Sequence, residues 1–383
     1  MSILSLSWLA GLVLIPAAYW LVPERFRSAL LMGITLAILA QVSLASVILL
    51  SMATGLAWVA YRYLCENGMA TAAIATAQTA PLVYYKAAHE WGDFSGPGLV
   101  IALGLSYYAL RAIHYTLEAY KGTLPEHGVV DVISYMFFLP TIVAGPIHRF
   151  PQFFRDQERR RWNAELFSEG LERLLYGYVK ITFVANIIIN EWLTSFISDH
   201  LVAGSRQALY LTMVARGLNG YFQFAGYSDV AIGFARLLGF RVMENFNAPL
   251  IRRNVQEFWQ AWHISLTSWC RDYVYVPVFS LTRARWLGII CAMAVLGLWH
   301  EFTARYLVWG LYNGVGIVAW HQWRNLAGAR LEAAIADYTV IRRIWTVISV
   351  LLTVHFVFIG FALVQNESLT GGLRFLMQLL GLS

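Results

Sequence analysis

Two histidines stand where their type and setting suit chemistry. His263 lies in the run Val255–Tyr275, where Trp259, Trp262, Leu266 and Trp269 recur with it at close to helical spacing. That spacing predicts one continuous helix with a single imidazole set in an aromatic face. His300 ends the apolar run Ile289–Trp299 and follows Trp299 directly. Burial favours the neutral imidazole, and a neutral imidazole accepts a proton near neutral pH. The chemistry that fits is general-base attack on a hydroxyl. A buried histidine can equally be a hydrogen-bonded structural residue, and the residues alone leave both readings open.

Spacing disfavours the other common chemistries. His300-Glu301 begins like the zinc motif H-E-x-x-H, but Ala304 stands where the second histidine belongs, and Asp93 breaks the pattern after His89-Glu90. The chain contains no phosphate-binding loop, and Gly226-Tyr227-Ser228-Asp229-Val230 lacks the closing glycine of a nucleophile elbow. The three cysteines, Cys65, Cys270 and Cys291, form no CxxC pair and sit in or beside apolar runs, so they read as packing residues and no metal site is expected.

The elements that must position these residues are membrane helices. Of 383 residues, 58% are hydrophobic and only 13% charged, about half the charge of a soluble domain. The mean hydropathy of +0.56 points the same way. At about 20 residues per crossing, roughly nine to twelve helices fit. Apolar runs occur at Ile3–Leu21, Ala29–Gln41, Val42–Leu64, Met69–Tyr85, Leu99–Tyr120 and Val129–Ile147, then from Leu171 to Val364. Several of the later ones, such as Ala208–Phe224 and Val230–Phe240, are short or interrupted by Gly, Asn and Asp. Irregular backbone at membrane depth must be buried in protein or line a cavity, so re-entrant pieces around a central polar tunnel are expected. The first run lacks a basic leader and a cleavage site, and it reads as the first crossing. Arg25 and Arg27 follow it, which places that loop in the cytoplasm. No repeat divides the chain, and residues 1–383 read as a single polytopic, all-α domain.

The net charge is +6, and all but three of the 28 basic residues are arginine. Long apolar runs separate them, which excludes a nucleic-acid face. The segment Arg149–Asn163 is the most polar in the chain and holds Arg155, Arg159, Arg160 and Arg161. It reads as a cytoplasmic loop or interfacial helix, either a topology signal or a landing surface for an acidic partner.

The motifs from Phe224 to His300 are the informative ones. Phe224-Ala225-Gly226-Tyr227-Ser228-Asp229, Glu244-Asn245-Phe246-Asn247, Glu257-Phe258-Trp259, Trp262-His263-Ile264-Ser265-Leu266, Arg271-Asp272-Tyr273 and Leu298-Trp299-His300 resemble those of the membrane-bound O-acyltransferase family. The bacterial branch is the nearest match, the one holding the alginate O-acetylation and teichoic-acid D-alanine transfer proteins. Gly104–Tyr120 and Ala144-Gly145-Pro146-Ile147 extend the match, which covers roughly residues 100–325. The resemblance implies a helix bundle in the bacterial cytoplasmic membrane, with a tunnel where a cytoplasmic acyl thioester meets an acceptor from the other side. No tightly bound cofactor is implied. The donor would be an acyl-coenzyme A or an acyl carrier protein with a phosphopantetheine arm. The acceptor would be a hydroxyl of an envelope polysaccharide or of an extracytoplasmic relay protein.

The resemblance also assigns roles. His300 matches the catalytic histidine, and His263 a second tunnel histidine that orients or polarises. Trp259, Trp262 and Trp299 would wall the tunnel. Asn245 and Asn247 would donate to a carbonyl, fix the wall or cap a helix end. Asp229 and Arg271 would be buried polar supports or members of an internal ion pair. The cluster Arg155, Arg159, Arg160 and Arg161 would be the landing site of an acidic carrier.

Two departures stand out. Glu301 replaces the glycine that commonly follows the second histidine, and Val278–Arg285 replaces a Gly-rich basic loop. The short loop leans towards D-alanyl transfer, whereas Ala144-Gly145-Pro146 and Glu244-Asn245-Phe246-Asn247 lean towards acetyl. A membrane transporter would also combine broken helices with buried polar groups, although no inverted repeat is visible. A scaffold with a dead site would tolerate Glu301.

Overall fold

A computed structural model describes residues 5–91, 104–142 and 145–382. The loop expected at Gly92–Gly98 and the Ala144 of the Ala144-Gly145-Pro146 turn lie outside the described residues. Those described are helical, with a single antiparallel bridge between Phe246 and Trp262. Among the described residues, four helices are long and apolar enough to cross a bilayer: Glu24–Val42, Leu44–Tyr63, Ala164–His200 and Thr339–Val364. Leu6–Leu21 and Arg285–His300 are shorter apolar helices. The chain is therefore an all-α, polytopic membrane protein.

It divides into two compact units, Met1–Tyr178 with Gly226–Met243, and Val179–Ala225 with Glu244–Ser383. In the first unit, helices begin where the sequence supplies caps. Ser5 accepts from the Trp8 N–H to open Leu6–Leu21, and Ser43 accepts from Ser46 to open Leu44–Tyr63. Arg111 is fully buried on helix Leu105–Tyr120 and donates to the carbonyls of Tyr135 and Met136, both at 3.2 Å. These are the last carbonyls of helix Val129–Met136, so the guanidinium caps a helix end. Helix Ala164–Tyr178 packs on the 226–237 segment through glycines: a Cβ on Gly177 would come within 2.8 Å of the Gly226 carbonyl oxygen. Within that tight contact Asp229 is held by Arg173 at 2.7 Å. Of the two alternatives for Asp229, the structure shows the internal ion pair.

The polar segment after residue 149 forms a short amphipathic helix, Phe150–Glu158, which buries Phe150, Phe153 and Phe154. Arg155, Arg159 and Arg161 are exposed, but Arg160 is not. It is 6% exposed and lies over the rings of Tyr19 and Phe240 at 5.5 and 5.8 Å. Arg160 therefore drops out of the expected landing surface, because cation–π contacts hold it inside.

In the second unit, the interruption expected between Ala208–Phe224 and Val230–Phe240 is absent. The runs Ala208–Phe224 and Val230–Phe240 are joined in one helix, Arg206–Leu237, whose first part belongs to this unit. Its polar residues are met by the Val179–Leu193 segment, which winds with the wider i→i+5 hydrogen bonds. Asn219 donates to Asn190 at 2.7 Å and to the Ala185 carbonyl at 3.2 Å, and Gln223 donates to Asn186 at 2.7 Å. An amide ladder satisfies these groups, so no break in the helix is needed.

Candidate active site

The expected single helix over Val255–Tyr275 is broken at its centre, which corrects the helical-face reading. Asn254 opens Val255–Ala261 by accepting from the Glu257 N–H. The chain then turns at Trp262 and restarts as Ile264–Cys270. His263 makes that turn with φ 44° and ψ 51°, the left-handed region that a residue with a Cβ rarely adopts. The segment Glu244–Asn247 supports the break as a short strap. Phe246 bridges Trp262, the Asn247 N–H donates to the Ala261 carbonyl at 3.0 Å, and the Ile264 N–H donates to the Asn245 carbonyl at 2.9 Å.

The side chain of Asn245 completes the restart. It is fully buried and accepts from the Ser265 hydroxyl at 2.6 Å and the Ser265 N–H at 3.4 Å. An amide from another segment thus caps the new helix, and Asn245 acts as a positioning residue. Asn247 does not stand with it. Its side chain is exposed and its contribution is its backbone.

His300 is reached from a helical hairpin. Arg285–His300 turns through Glu301–Thr303 into Ala304–Trp323, which Thr303 opens by accepting from the Tyr306 N–H. Gly297 lies against the Tyr306 carbonyl oxygen and Gly310 against that of Met293, so closely that a Cβ on either would collide. Small residues let the two backbones touch, as in membrane helix pairs. The end of the first helix is thereby pinned, and the His300 ring meets Trp309 at 5.5 Å and stacks on Tyr306 at 5.9 Å.

The two histidines face one another with ring centroids 6.3 Å apart. Trp299 touches both, at 5.7 Å from His263 and 4.9 Å from His300, and Phe224 closes the other side of His263 at 4.7 Å. His263 is 1% exposed, and neither ring nitrogen has a hydrogen-bond partner among the described residues. An unsatisfied buried polar group costs about 1–3 kcal/mol, a penalty tolerated where the group meets a ligand. Trp259 and Trp262 are buried as expected, Trp262 stacked on Phe258 at 5.3 Å. Arg271 is a correction: its side chain is 65% exposed and pairs with Asp272 at 2.8 Å, so it is not a buried support.

Sequence reasoning missed Trp309, Asn313 and Tyr306. Asn313 is 1% exposed, accepts from the Trp259 indole at 3.2 Å and donates to the Trp309 carbonyl at 2.9 Å. It locks the tryptophan on the His263 segment to the helix that carries the stack under His300. The available signal was an asparagine in the apolar run Tyr306–Trp320, since such residues need partners in a membrane. Glu301 is also accounted for. Both its oxygens accept from Arg305, at 2.6 and 2.8 Å, and Arg305 also donates to the Asn366 carbonyl.

The backbone at His263 makes a distinct prediction. His263→Gly and His263→Ala both delete the imidazole, but only glycine enters the left-handed region without strain. His263→Gly should be the more stable of the two by roughly 1 kcal/mol, against the usual order in helices. Thermal unfolding of the two detergent-solubilised proteins reads it, and a higher melting temperature for the alanine variant would remove the strain.

The chain is 33% identical over 224 residues to a protein of Pseudomonas aeruginosa named probable alginate O-acetylase, covering 57% of this chain and 42% of that one. A protein of the same name from Pseudomonas syringae is 31% identical over 278 residues, 71% and 50% of the two chains. A teichoic acid D-alanyltransferase of Bacillus subtilis is 27% identical over 338 residues, 81% of each chain. The chain thus spans about half the length of the alginate O-acetylases it matches. The model of the MBOAT, membrane-bound O-acyltransferase family matches residues 3–357, through both units and every residue of the paired-histidine site, and the chain belongs to that family.

Proposed function

We propose that the chain is an O-acyltransferase of the bacterial cytoplasmic membrane. It would move an acyl group from a thioester on the cytoplasmic side to a hydroxyl of an envelope polysaccharide or of an extracytoplasmic relay protein. The observation that carries this reading is the facing pair of buried histidines, His263 and His300, in a wall of aromatic rings. The thioester is already activated, so the protein has to remove the acceptor proton and steady the oxyanion. In this reading His300 takes the proton as the hydroxyl oxygen attacks the carbonyl, and the C–S bond breaks. The proton then passes to the departing thiolate. His263, held by the turn that Asn245 caps, orients the acceptor or the carbonyl.

The acyl group favoured is acetyl. A D-alanyl group carries an ammonium that calls for a counter-charge in a dry site. The carboxylate next to His300 belongs to Glu301, and Arg305 already holds both of its oxygens. A neutral acyl group suits the ring wall better. That same pairing argues against a dead scaffold, because Glu301 is drawn to Arg305 and not to the imidazole. The exposed Arg155, Arg159 and Arg161 would meet the acidic surface of a carrier protein if the thioester arrives on one.

Mass spectrometry of envelope polymers from cells with and without the protein tests the reading. Loss of an acetyl increment supports it. Loss of an alanyl increment substitutes the D-alanyl alternative, and an unchanged acylation pattern with substrate uptake in proteoliposomes makes the protein a carrier.

A further inference from the structure

A cavity of about 610 Å³ lies in the second unit between helices Ala304–Trp323 and Thr339–Val364. The two helices run antiparallel, and an aromatic pair stands at each end of the slot between them. Tyr312 stacks on Phe356 at 4.3 Å at one end, and Trp323 meets Trp345 at 6.1 Å at the other. Along either helix the two pairs are about 16 Å apart, close to half the hydrocarbon core of a bilayer. Between them the wall is small or aliphatic, with Gly316, Ala319 and Leu352. The polar side chains Tyr312, Thr353, His355 and Asn254 also line it, but they are spent within the protein. Tyr312 donates to the Phe356 carbonyl at 2.9 Å and Thr353 to that of Ser349 at 2.8 Å. His355 bonds the Leu351 carbonyl and the Tyr210 hydroxyl, and Asn254 bonds Glu257. The slot therefore suits an apolar occupant.

Its mouth is different. The link after Trp323 carries Arg324 and Arg330, and Arg342 and Arg343 stand exposed in the first turn of the next helix. Arginines in that place mark the cytoplasmic side, so the Trp323–Trp345 end opens at the cytoplasmic interface. Arg324 lies over the ring of Trp320, a wall residue, at 5.5 Å. Arg253 lines the cavity itself, with a side chain 57% exposed and a guanidinium that meets Glu257 only at 4.0 Å. It precedes helix Val255–Ala261, and Trp262 at the far end of that helix meets Phe361 at 5.3 Å, beyond Phe356. Arg253 is thereby placed on the mouth side. An apolar slot one leaflet deep, with tryptophans and guanidinium groups at its mouth, complements an acyl chain tied to an anionic headgroup. We propose that it binds an anionic phospholipid of the cytoplasmic leaflet, one acyl chain between the helices and the phosphate on Arg253 and Arg324. None of the rings around His263 and His300 lines the slot, so the lipid is a bound constituent and not a reactant. Helix Ala304–Trp323 also carries Tyr306, Trp309 and Asn313, and the lipid braces it.

The test uses the full chain in detergent, freed of lipid, with dioleoylphosphatidylglycerol, dioleoylphosphatidylcholine or glycerol phosphate added. Phosphatidylglycerol should raise the melting temperature by about 5 °C at saturation, phosphatidylcholine much less and glycerol phosphate not at all. Losing charge-assisted hydrogen bonds to phosphate should raise the half-saturating phosphatidylglycerol concentration about tenfold in the Arg253→Gln, Arg324→Gln double variant. The corresponding lysine variant keeps the point charges and should recover most of that loss. Ala319 is exposed on the slot wall, so Ala319→Trp fills the slot and should abolish the shift while the lipid-free melting temperature holds. Equal shifts with the two lipids, or an unchanged half-saturation in the glutamine variant, overturn the proposal. So does an equal shift with glycerol phosphate, which would make the ligand a free phosphate. A lipid-free dimer that Ala319→Trp dissociates would give the slot to a second copy of the chain and overturn it too. The arginines are exposed, so their variants decide the outcome even where Ala319→Trp fails to fold.

Discussion

Replacing His300 by alanine is expected to lower acyl transfer by roughly a thousandfold, the middle of the range for loss of a positioned general base. The protein should remain folded. His300 ends its helix and is partly exposed, so its loss leaves the Gly297 and Gly310 contacts in place. The ring wall around it is built from Trp299, Trp309 and Tyr306, all contributed by the same hairpin. A hydroxyl keeps its proton at neutral pH, and without a base the attack must release that proton into a dry site. The acetyl content of the envelope polymer reads the effect, with tryptophan fluorescence of the purified variant as the check on folding. A folded His300→Ala protein that acylates at the wild-type rate would move the base elsewhere, His263 being next. His300→Gln separates proton transfer from hydrogen bonding, because the amide can donate to a substrate but does not accept a proton at this pH. It should be as inactive as the alanine variant.

Much of the site was legible because its residues are of unusual type for their surroundings. Histidine and asparagine are expensive in a membrane bundle, and that rule marks His263 and His300, whereas Asn245 is marked by the family resemblance. The same rule also gathered Asn219, which serves the helix ladder with Asn190 and Ala185 instead. Scarcity of polar residues marks a need for partners, and the partner decides whether the need is structural or chemical. The helix break at His263 was not legible. Trp259, Trp262, His263, Leu266 and Trp269 keep helical spacing, and no glycine or proline interrupts them. What breaks the helix is the strap at Glu244–Asn247, whose backbone and Asn245 amide replace the missing helical bonds. Those are long-range contacts, and periodicity carries no trace of them. The link from Asn313 to Trp259 was hidden for the same reason, since it joins residues 54 apart in the chain. By contrast, the Glu301–Arg305 pair is local, joining the turn after His300 to the first turn of the next helix.

Gly297→Ala is expected to destabilise the protein by about 3 kcal/mol or more, at the upper end of overpacking penalties. Alanine is ordinarily the better helix residue by close to 1 kcal/mol, so the sign must come from packing. Here the added methyl would strike the Tyr306 carbonyl oxygen, with the Tyr306 carbonyl carbon only 3.2 Å away. A backbone atom cannot swing aside as a side chain does, so the two helices must separate. Gly310→Ala meets the Met293 carbonyl oxygen from the opposite direction and should behave alike. Separation would also pull the His300 ring, three residues beyond Gly297, away from Tyr306 and Trp309, so transfer should fall even in the folded fraction. The control is Gly33→Ala, on a helix where an added Cβ meets nothing within 4 Å. That change should be neutral or slightly stabilising. Thermal unfolding in detergent and the yield of monodisperse protein read the contrast. Equal melting temperatures for Gly297→Ala and Gly33→Ala would mean that the backbones of Arg285–His300 and Ala304–Trp323 are not in contact at Gly297. The site's aromatic wall would then lack the hinge that holds it against the imidazole.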